Sequence, residues 1–317
     1  MMNPTTMTAR KTRIFFRFIL PAYGRERDGF NFDALWKSFA KSNENRYYTR
    51  MKSEEQSPSA RTFVDALAAS GRHHFTSSEV RAALGVSAQA TRMAMHRLLQ
   101  QDVVASPARG FYVIIPPEYR SVGCLPADHF IPELMDFVGA RYYVGLLSAA
   151  QFHGAAHHRP QEFQVVLEKT RRPIACGRVR IAFVQRRNAS RIPVQQFNTP
   201  RGFIAVSTPE ATALDLVGYH DRSGGLDNVA SVLTDLAEKI DPAKLVASAK
   251  LSPIAWSQRL GFLMDLVDAG SQARELKSFV SKNAREYTGL LPGSTESVTS
   301  RDDVWKVDVN TEIEVDS

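Results

Sequence analysis

From Ala60 onward, apolar positions fall at helical spacing in three short runs. Ala60 to Ala69 puts Phe63, Val64 and Leu67 on one face, and Gly71 ends that helix. The second run starts at Ser77 or Ser78, carries Glu79 in its first turn where the helix dipole favours an acid, and continues through Val80, Ala83 and Leu84. Gly85-Val86-Ser87 then makes a turn: the glycine supplies a left-handed residue, the valine fills the angle between helices, and Ser87 caps the next helix. That third helix runs from Ala88 to about Gln101, with Ala90, Ala94, Met95, Leu98 and Leu99 facing inward. Val103-Val104-Ala105 and Phe111-Tyr112-Val113-Ile114 flank Ser106-Pro107-Ala108-Arg109-Gly110 as a short hairpin. This order predicts a winged helix-turn-helix from about Arg61 to Ile115, and with it binding to double-stranded DNA.

Beyond the hairpin the periods mix. Pro116-Pro117 and the loop through Gly123 and Pro126 read as a linker, residues 116–130. A helix is expected around Pro132 to Phe137. Strands are expected at Phe163 to Leu167, Val179 to Val184, Val194 to Phe197 and Phe203 to Val206. Ser207-Thr208-Pro209-Glu210 starts a helix, with Ser207 or Thr208 as cap and Glu210 completing a capping box. Helical periods then cover Ala211 to His220, Leu226 to Ile240, Pro242 to Lys250, Pro253 to Asp268 and Ala273 to Val280. The predicted fold class is α+β in two domains: a winged helix-turn-helix over 58–115, and a mixed α/β domain over 131–284 that ends in a helical subdomain. Residues 285–317 read as a disordered acidic tail. Residues 1–57 show hydrophobic clusters without a sustained period. Two readings stand for them: upstream sequence preceding a true start at Met51, or a basic disordered arm.

Charge changes this picture less than its total suggests. The chain of 317 residues carries a net charge of +7, but residues 1–50 hold ten basic and four acidic groups. That leaves 40 − 10 = 30 basic against 33 − 4 = 29 acidic for the rest, so the basic excess is not an argument for DNA binding by the predicted domain. The two cysteines, Cys124 and Cys176, are far apart in sequence and form neither a disulfide framework nor a zinc ribbon, which fits a reducing cytoplasm. The apolar run Ile14 to Leu20 contains Arg17 and is too short to span a bilayer.

The DNA-binding expectation rests on named side chains. Outward on the third helix lie Gln89, Arg92, Met93, His96 and Arg97, with no acidic residue between Ser87 and Gln101, unlike a helix-turn-helix used only for protein contacts. Gln89 and Arg92, near the helix N-terminus, suit base edges, glutamine pairing with adenine and arginine with guanine. His96 and Arg97, a turn later, suit phosphates, and Arg109 at the hairpin tip suits the backbone or the minor groove. From Lys169 to Arg201 a second feature appears, nine basic residues and no acidic one. Arg171, Arg172, Arg186 and Arg187 are its core, readable as a solvated face, a second DNA contact or a docking surface for an acidic partner.

Three segments carry a family resemblance. Tyr142 to Gly154, Ser207-Thr208-Pro209-Glu210-Ala211-Thr212-Ala213-Leu214-Asp215-Leu216, and Gln258-Arg259-Leu260-Gly261-Phe262-Leu263-Met264-Asp265 resemble the AbiEi antitoxins of type IV toxin–antitoxin (abortive infection) systems. The resemblance covers roughly Arg61 to Val280. It implies an autorepressor that binds inverted repeats in its own promoter and neutralises a nucleotidyltransferase-type toxin, with no cofactor. An ordinary winged-helix transcription factor whose second domain binds an effector or dimerises is the alternative.

Catalytic motifs do not support an enzyme. Gly293-Ser294 lacks the paired aspartates of a nucleotidyltransferase, and Leu167-Glu168-Lys169 has the wrong spacing for a two-metal nuclease. His153, His157 and His158 form a histidine cluster without the acidic or cysteine neighbour that a zinc site needs, so no metal is expected. Asp215, alone in an apolar helix, is expected to bond a backbone group or an arginine.

Overall fold

The computed structural model describes residues 59–155 and 160–314. The expectations for residues 1–57, and those placed on His157 and His158, lie outside the described residues. Within them are ten α-helices and three sheets in a mixed α/β arrangement. No helix among the described residues is long and apolar enough to cross a membrane.

The first elements are α1 (Ala60–Ala69), β1 (His74–Thr76), α2 (Ser77–Leu84), α3 (Ala88–Gln100), β2 (Val104–Ala108) and β3 (Phe111–Ile114). Local chemistry sets their ends. Ser59 caps α1, and the Thr76 hydroxyl accepts from the Glu79 amide while the Glu79 carboxylate accepts from the Thr76 amide, a reciprocal capping box on α2. Gly85 sits at φ 63° and ends α2, and the Ser87 hydroxyl accepts from the Ala90 amide to begin α3. α2 starts at Ser77, as the pattern indicates, with Thr76 as its cap. The inward face of α3 differs: Thr91, Met95 and Leu98 are buried, whereas Ala90 is exposed. Thr91 tolerates burial because its hydroxyl donates to the Ser87 carbonyl at 3.0 Å.

β1, β3 and β2 form a three-stranded antiparallel sheet in that order, and β3 is buried on both faces. Val104, Tyr112 and Ile114 pack with Val64, Phe75, Val80, Met95 and Leu98 in a helical core. Ala105, Phe111, Val113 and Ile115 pack instead into the core of the following region, beside Val144, Val165 and Ile204. An uninterrupted run such as Phe111-Tyr112-Val113-Ile114 is what a strand covered on both sides requires.

Residues 116–130 are correspondingly not a free linker. Cys124, Leu125, Ala127 and Phe130 are buried in that shared core, ahead of α4 (Ile131–Val138). A six-stranded mixed sheet follows, built from β4 (Tyr142–Val144), β5 (Phe163–Leu167), β6 (Ile174–Cys176), β7 (Val179–Gln185), β8 (Val194–Thr199) and β9 (Gly202–Ser207), in the order β6-β7-β5-β4-β9-β8. The two-residue period of a strand sends alternate side chains to opposite sides. Val144, Val165 and Leu167 face the hairpin and α4, while Tyr143 and Val166 face a helical layer.

That layer holds α5 (Leu146–Phe152), α6 (Pro209–Gly218), α7 (Gly225–Leu236), α8 (Pro242–Ala249), α9 (Ile254–Leu266) and α10 (Gly270–Asn283). α6 is its axis: every residue from Pro209 to Val217 is buried, as expected of a helix apolar nearly all round. Thr208 caps it. Glu210 does not close a capping box but accepts from the Asp241 amide at 3.1 Å, fastening α6 to the start of α8.

The segment expected to be a disordered tail is folded through most of its length. β10 (Thr288–Gly289), β11 (Ser300–Asp302) and β12 (Val307–Val309) make a small sheet docked on α9. Trp305 is fully buried over Gly261, and its indole donates to Asp265 at 2.6 Å. Gln258 donates to the carbonyls of Glu286 and Lys306, and Arg259 to that of Gly289.

Candidate functional site

The exposed surface around the N-terminus of α3 collects the side chains suited to an anionic partner. Ser87 and its turn set the direction of α3, and Gln89, Arg92, Met93, His96 and Arg97 all stand exposed along it. The β2–β3 tip is pinned to the start of α2 by a hydrogen bond from the Ser77 amide to the Gly110 carbonyl at 2.9 Å. Gly110, at φ 83°, makes that turn, and a Cβ there would press on the Ser77 hydroxyl. Arg109 is therefore held facing the helices. Between them lies an open cleft of about 460 Å³ lined by Ser77, Ser78, Arg81, Thr91, Arg92, Ser106, Arg109 and Tyr112.

Three guanidinium groups, from Arg81, Arg92 and Arg109, thus border one concavity whose lining contains no carboxylate. Such an arrangement raises the local positive potential and offers forked donors to phosphate oxygens. Arg81 was missing from the sequence-based set. Its signal is weak, a lone basic residue on an exposed helix face, and it gains meaning only where the hairpin tip lies beside α2. Glu79, on the same helix as Arg81, is engaged with Arg72. Burial raises its pKa, but the Arg72 guanidinium and the Thr76 amide and hydroxyl outweigh that and hold it below the usual carboxylate range.

The basic run from Lys169 to Arg201 does not form one face. Arg186 is buried, 4% exposed, and is no part of any surface. It forms an ion pair with Asp215, which is fully enclosed, and donates to Ser252 at 2.8 Å and to the Leu251 carbonyl at 3.2 Å. The Tyr143 hydroxyl donates to the other Asp215 oxygen at 2.7 Å. Burial pushes the Asp215 carboxyl up, opposed by the attraction of Arg186 and the Tyr143 hydrogen bond. The guanidinium stays charged because arginine does not deprotonate in proteins. The arginine partner expected for Asp215 is therefore Arg186, and the cluster ties four segments of the chain together. Arg171 lies over the Phe183 ring at 5.6 Å, while Arg172 and Arg187 are exposed near the β6–β7 edge of the large sheet.

His153, weighed with His157 and His158 as a metal ligand, is buried with Nε2 at 2.7 Å from the Ser207 carbonyl. Burial lowers its pKa against that hydrogen bond, so the neutral ring is favoured, and it joins α5 to the end of β9.

Residues 143–266 match the family model of the AbiEi antitoxin C-terminal domain. Among solved structures, the RV2827C protein from Mycobacterium tuberculosis is similar in fold, with a TM-score of 0.57 at 17% identity. That similarity covers 78% of this chain and 90% of the other, a longer span than the family match. No curated protein matches the sequence.

Proposed function

Taking as premise that residues 143–266 match the AbiEi antitoxin C-terminal domain, we propose that this protein is an antitoxin that also represses its own operon by binding double-stranded DNA. In this reading residues 59–114 act as a winged helix-turn-helix. α3 enters the major groove with Gln89 and Arg92 toward base edges, His96 and Arg97 toward phosphates, and the tip with Arg109 toward the backbone or minor groove. The observation that carries the DNA-binding half is the convergence of Arg81, Arg92 and Arg109 on one cleft beside an exposed helix N-terminus. The operator is an inverted repeat in the protein's own promoter, and the partner a nucleotidyltransferase-type toxin. The function is one of binding, with no cofactor taking part in DNA or toxin recognition.

The two halves are tested separately. Fluorescence anisotropy with duplex DNA from the protein's own upstream region is expected to give binding tighter than to scrambled duplex, and Arg92→Ala is expected to narrow that difference. Equal affinity for both duplexes would overturn operator recognition. Co-expression with the product of the neighbouring gene is expected to relieve its toxicity. Unrelieved toxicity, with DNA binding intact, would leave a transcription factor and end the antitoxin role.

A further inference from the structure

Three side chains outside the DNA-facing cleft meet where the first helical unit abuts α4. His73 immediately precedes β1, His74 is its first residue, and Glu133 lies in the first turn of α4, sixty residues away in sequence. One ligating atom from each of the three lies within 4.8 Å of the others. His73 is 7% exposed, and its Nε2 has no hydrogen-bond partner; Glu133 Oε1, the carboxylate oxygen it faces, is 3.5 Å away. His74 Nδ1 and Glu133 Oε2 are likewise enclosed and unpartnered. Buried polar atoms are almost always satisfied, and these three residues, each with an enclosed unpartnered polar atom, bring one ligating atom apiece within 4.8 Å of one another, so a single ligand would satisfy them together.

The donor set defines that ligand. Two imidazoles and a carboxylate suit a transition-metal ion, whereas magnesium and calcium take all-oxygen shells. Zinc bonds of roughly 2.0–2.2 Å place tetrahedral ligand atoms about 3.3 Å apart, so the cluster has to tighten by no more than about 1.5 Å. One ring and the adjoining backbone are already braced. His74 stacks on Phe111 with centroids 5.7 Å apart, and the His73 carbonyl accepts from the Ile114 amide at 2.8 Å. We propose that His73, His74 and Glu133 bind one divalent transition-metal ion, zinc in the cell, with the fourth position open to water. The ion staples the strand that leads into the helix-turn-helix onto α4.

The test uses the full chain, stripped with a chelator and titrated with zinc against a chromophoric competitor, and with cobalt for its visible absorption. One zinc per chain is expected. Glu133→Gln, nearly isosteric, and His73→Ala are each expected to weaken binding by at least about tenfold, since even groups that only orient a zinc ligand carry factors of 10–100. Zinc is also expected to raise the unfolding midpoint of the parent chain but not that of Glu133→Gln, because a ligand of the native state stabilises by mass action. Should His73→Ala fail to fold, Glu133→Gln alone decides. No binding tighter than about millimolar, or binding unchanged by Glu133→Gln, would overturn the site. So would binding lost instead in His157→Ala/His158→Ala, which would place the ion in the other histidine-rich segment.

Discussion

Arg186 and Asp215 form a pair whose value depends on both members being present. Removing one leaves a buried charge without its counter-ion, which costs about 3–5 kcal/mol, whereas replacing both with apolar groups of similar volume costs little. Asp215→Ala is therefore expected to lower the urea midpoint sharply, and Arg186→Met/Asp215→Leu to recover much of the loss. Equal destabilisation by the single and double changes would contradict this account. If the arginine-bordered cleft binds DNA as proposed, its arginines are expected to separate by role. Arg92→Ala should cost about 1–3 kcal/mol and relax sequence preference at one base position. Arg109→Ala should weaken all duplexes alike and reduce the slope of log affinity against log salt by about one. Anisotropy titrations at several salt concentrations distinguish the two patterns. Ser87, Gly85 and Gly71 were legible in the sequence because caps and left-handed turns depend on neighbours a few residues away. Arg186 was not: a basic residue among basic residues looks solvated until a carboxylate from another segment is brought beneath it.

The helices carry two further consequences. The capping box on α2 makes its stability depend on pH. Glu79 is held below the ordinary carboxylate range, so its contribution is fully present above the unfolded value of about 4.3 and is lost as pH falls through the lower folded value. Glu79→Gln is expected to flatten stability against pH across that acidic window, as read from thermal midpoints at successive pH values; an unchanged profile would contradict it. At the other end of the chain, α9 anchors the small C-terminal sheet through Gln258, Arg259 and Asp265, with Gly261 making room for the Trp305 ring. Trp305→Ala should cost about 3–5 kcal/mol, the ordinary price of emptying a large buried aromatic site. A change below about 1 kcal/mol in chemical denaturation would show that the sheet is peripheral. The Gln258 to Asp265 segment was recognisable in the sequence, but its partners lie beyond Ala284, in a stretch whose polar composition suggested disorder.

Across the described residues, the hairpin of β2 and β3 serves two cores at once. One face packs under the helices of the first unit and the other against the six-stranded sheet, so the arginine-bordered cleft is built onto the same scaffold as the AbiEi-like segment. The remaining basic side chains on that scaffold bear on partner choice. Charge reversal at Arg171, Arg172 and Arg187, with Arg186 left intact to preserve the fold, is expected to abolish toxin neutralisation while sparing operator binding. Lost operator affinity would assign these side chains to DNA, and no change in either assay would make them a solvated face.

Local order fixed a good deal of this protein on its own. Residue spacing, glycines, proline and capping hydroxyls specify most helices, the α2–α3 turn and the hairpin, because those features are decided within a few residues of chain. The motifs of the AbiEi resemblance could be read in the same way. What they hold together could not. Tyr143 meeting Asp215 and Arg186, Trp305 covering Gly261, the packing of residues 116–130, the convergence of Arg81 with Arg92 and Arg109, and the juxtaposition of His73 and His74 with Glu133 all join groups distant in sequence. Such pairings depend on which faces are buried against which. A linear pattern of polar and apolar residues states that a side chain is charged, and only the packed chain determines whether it meets water, a counter-charge or a ligand.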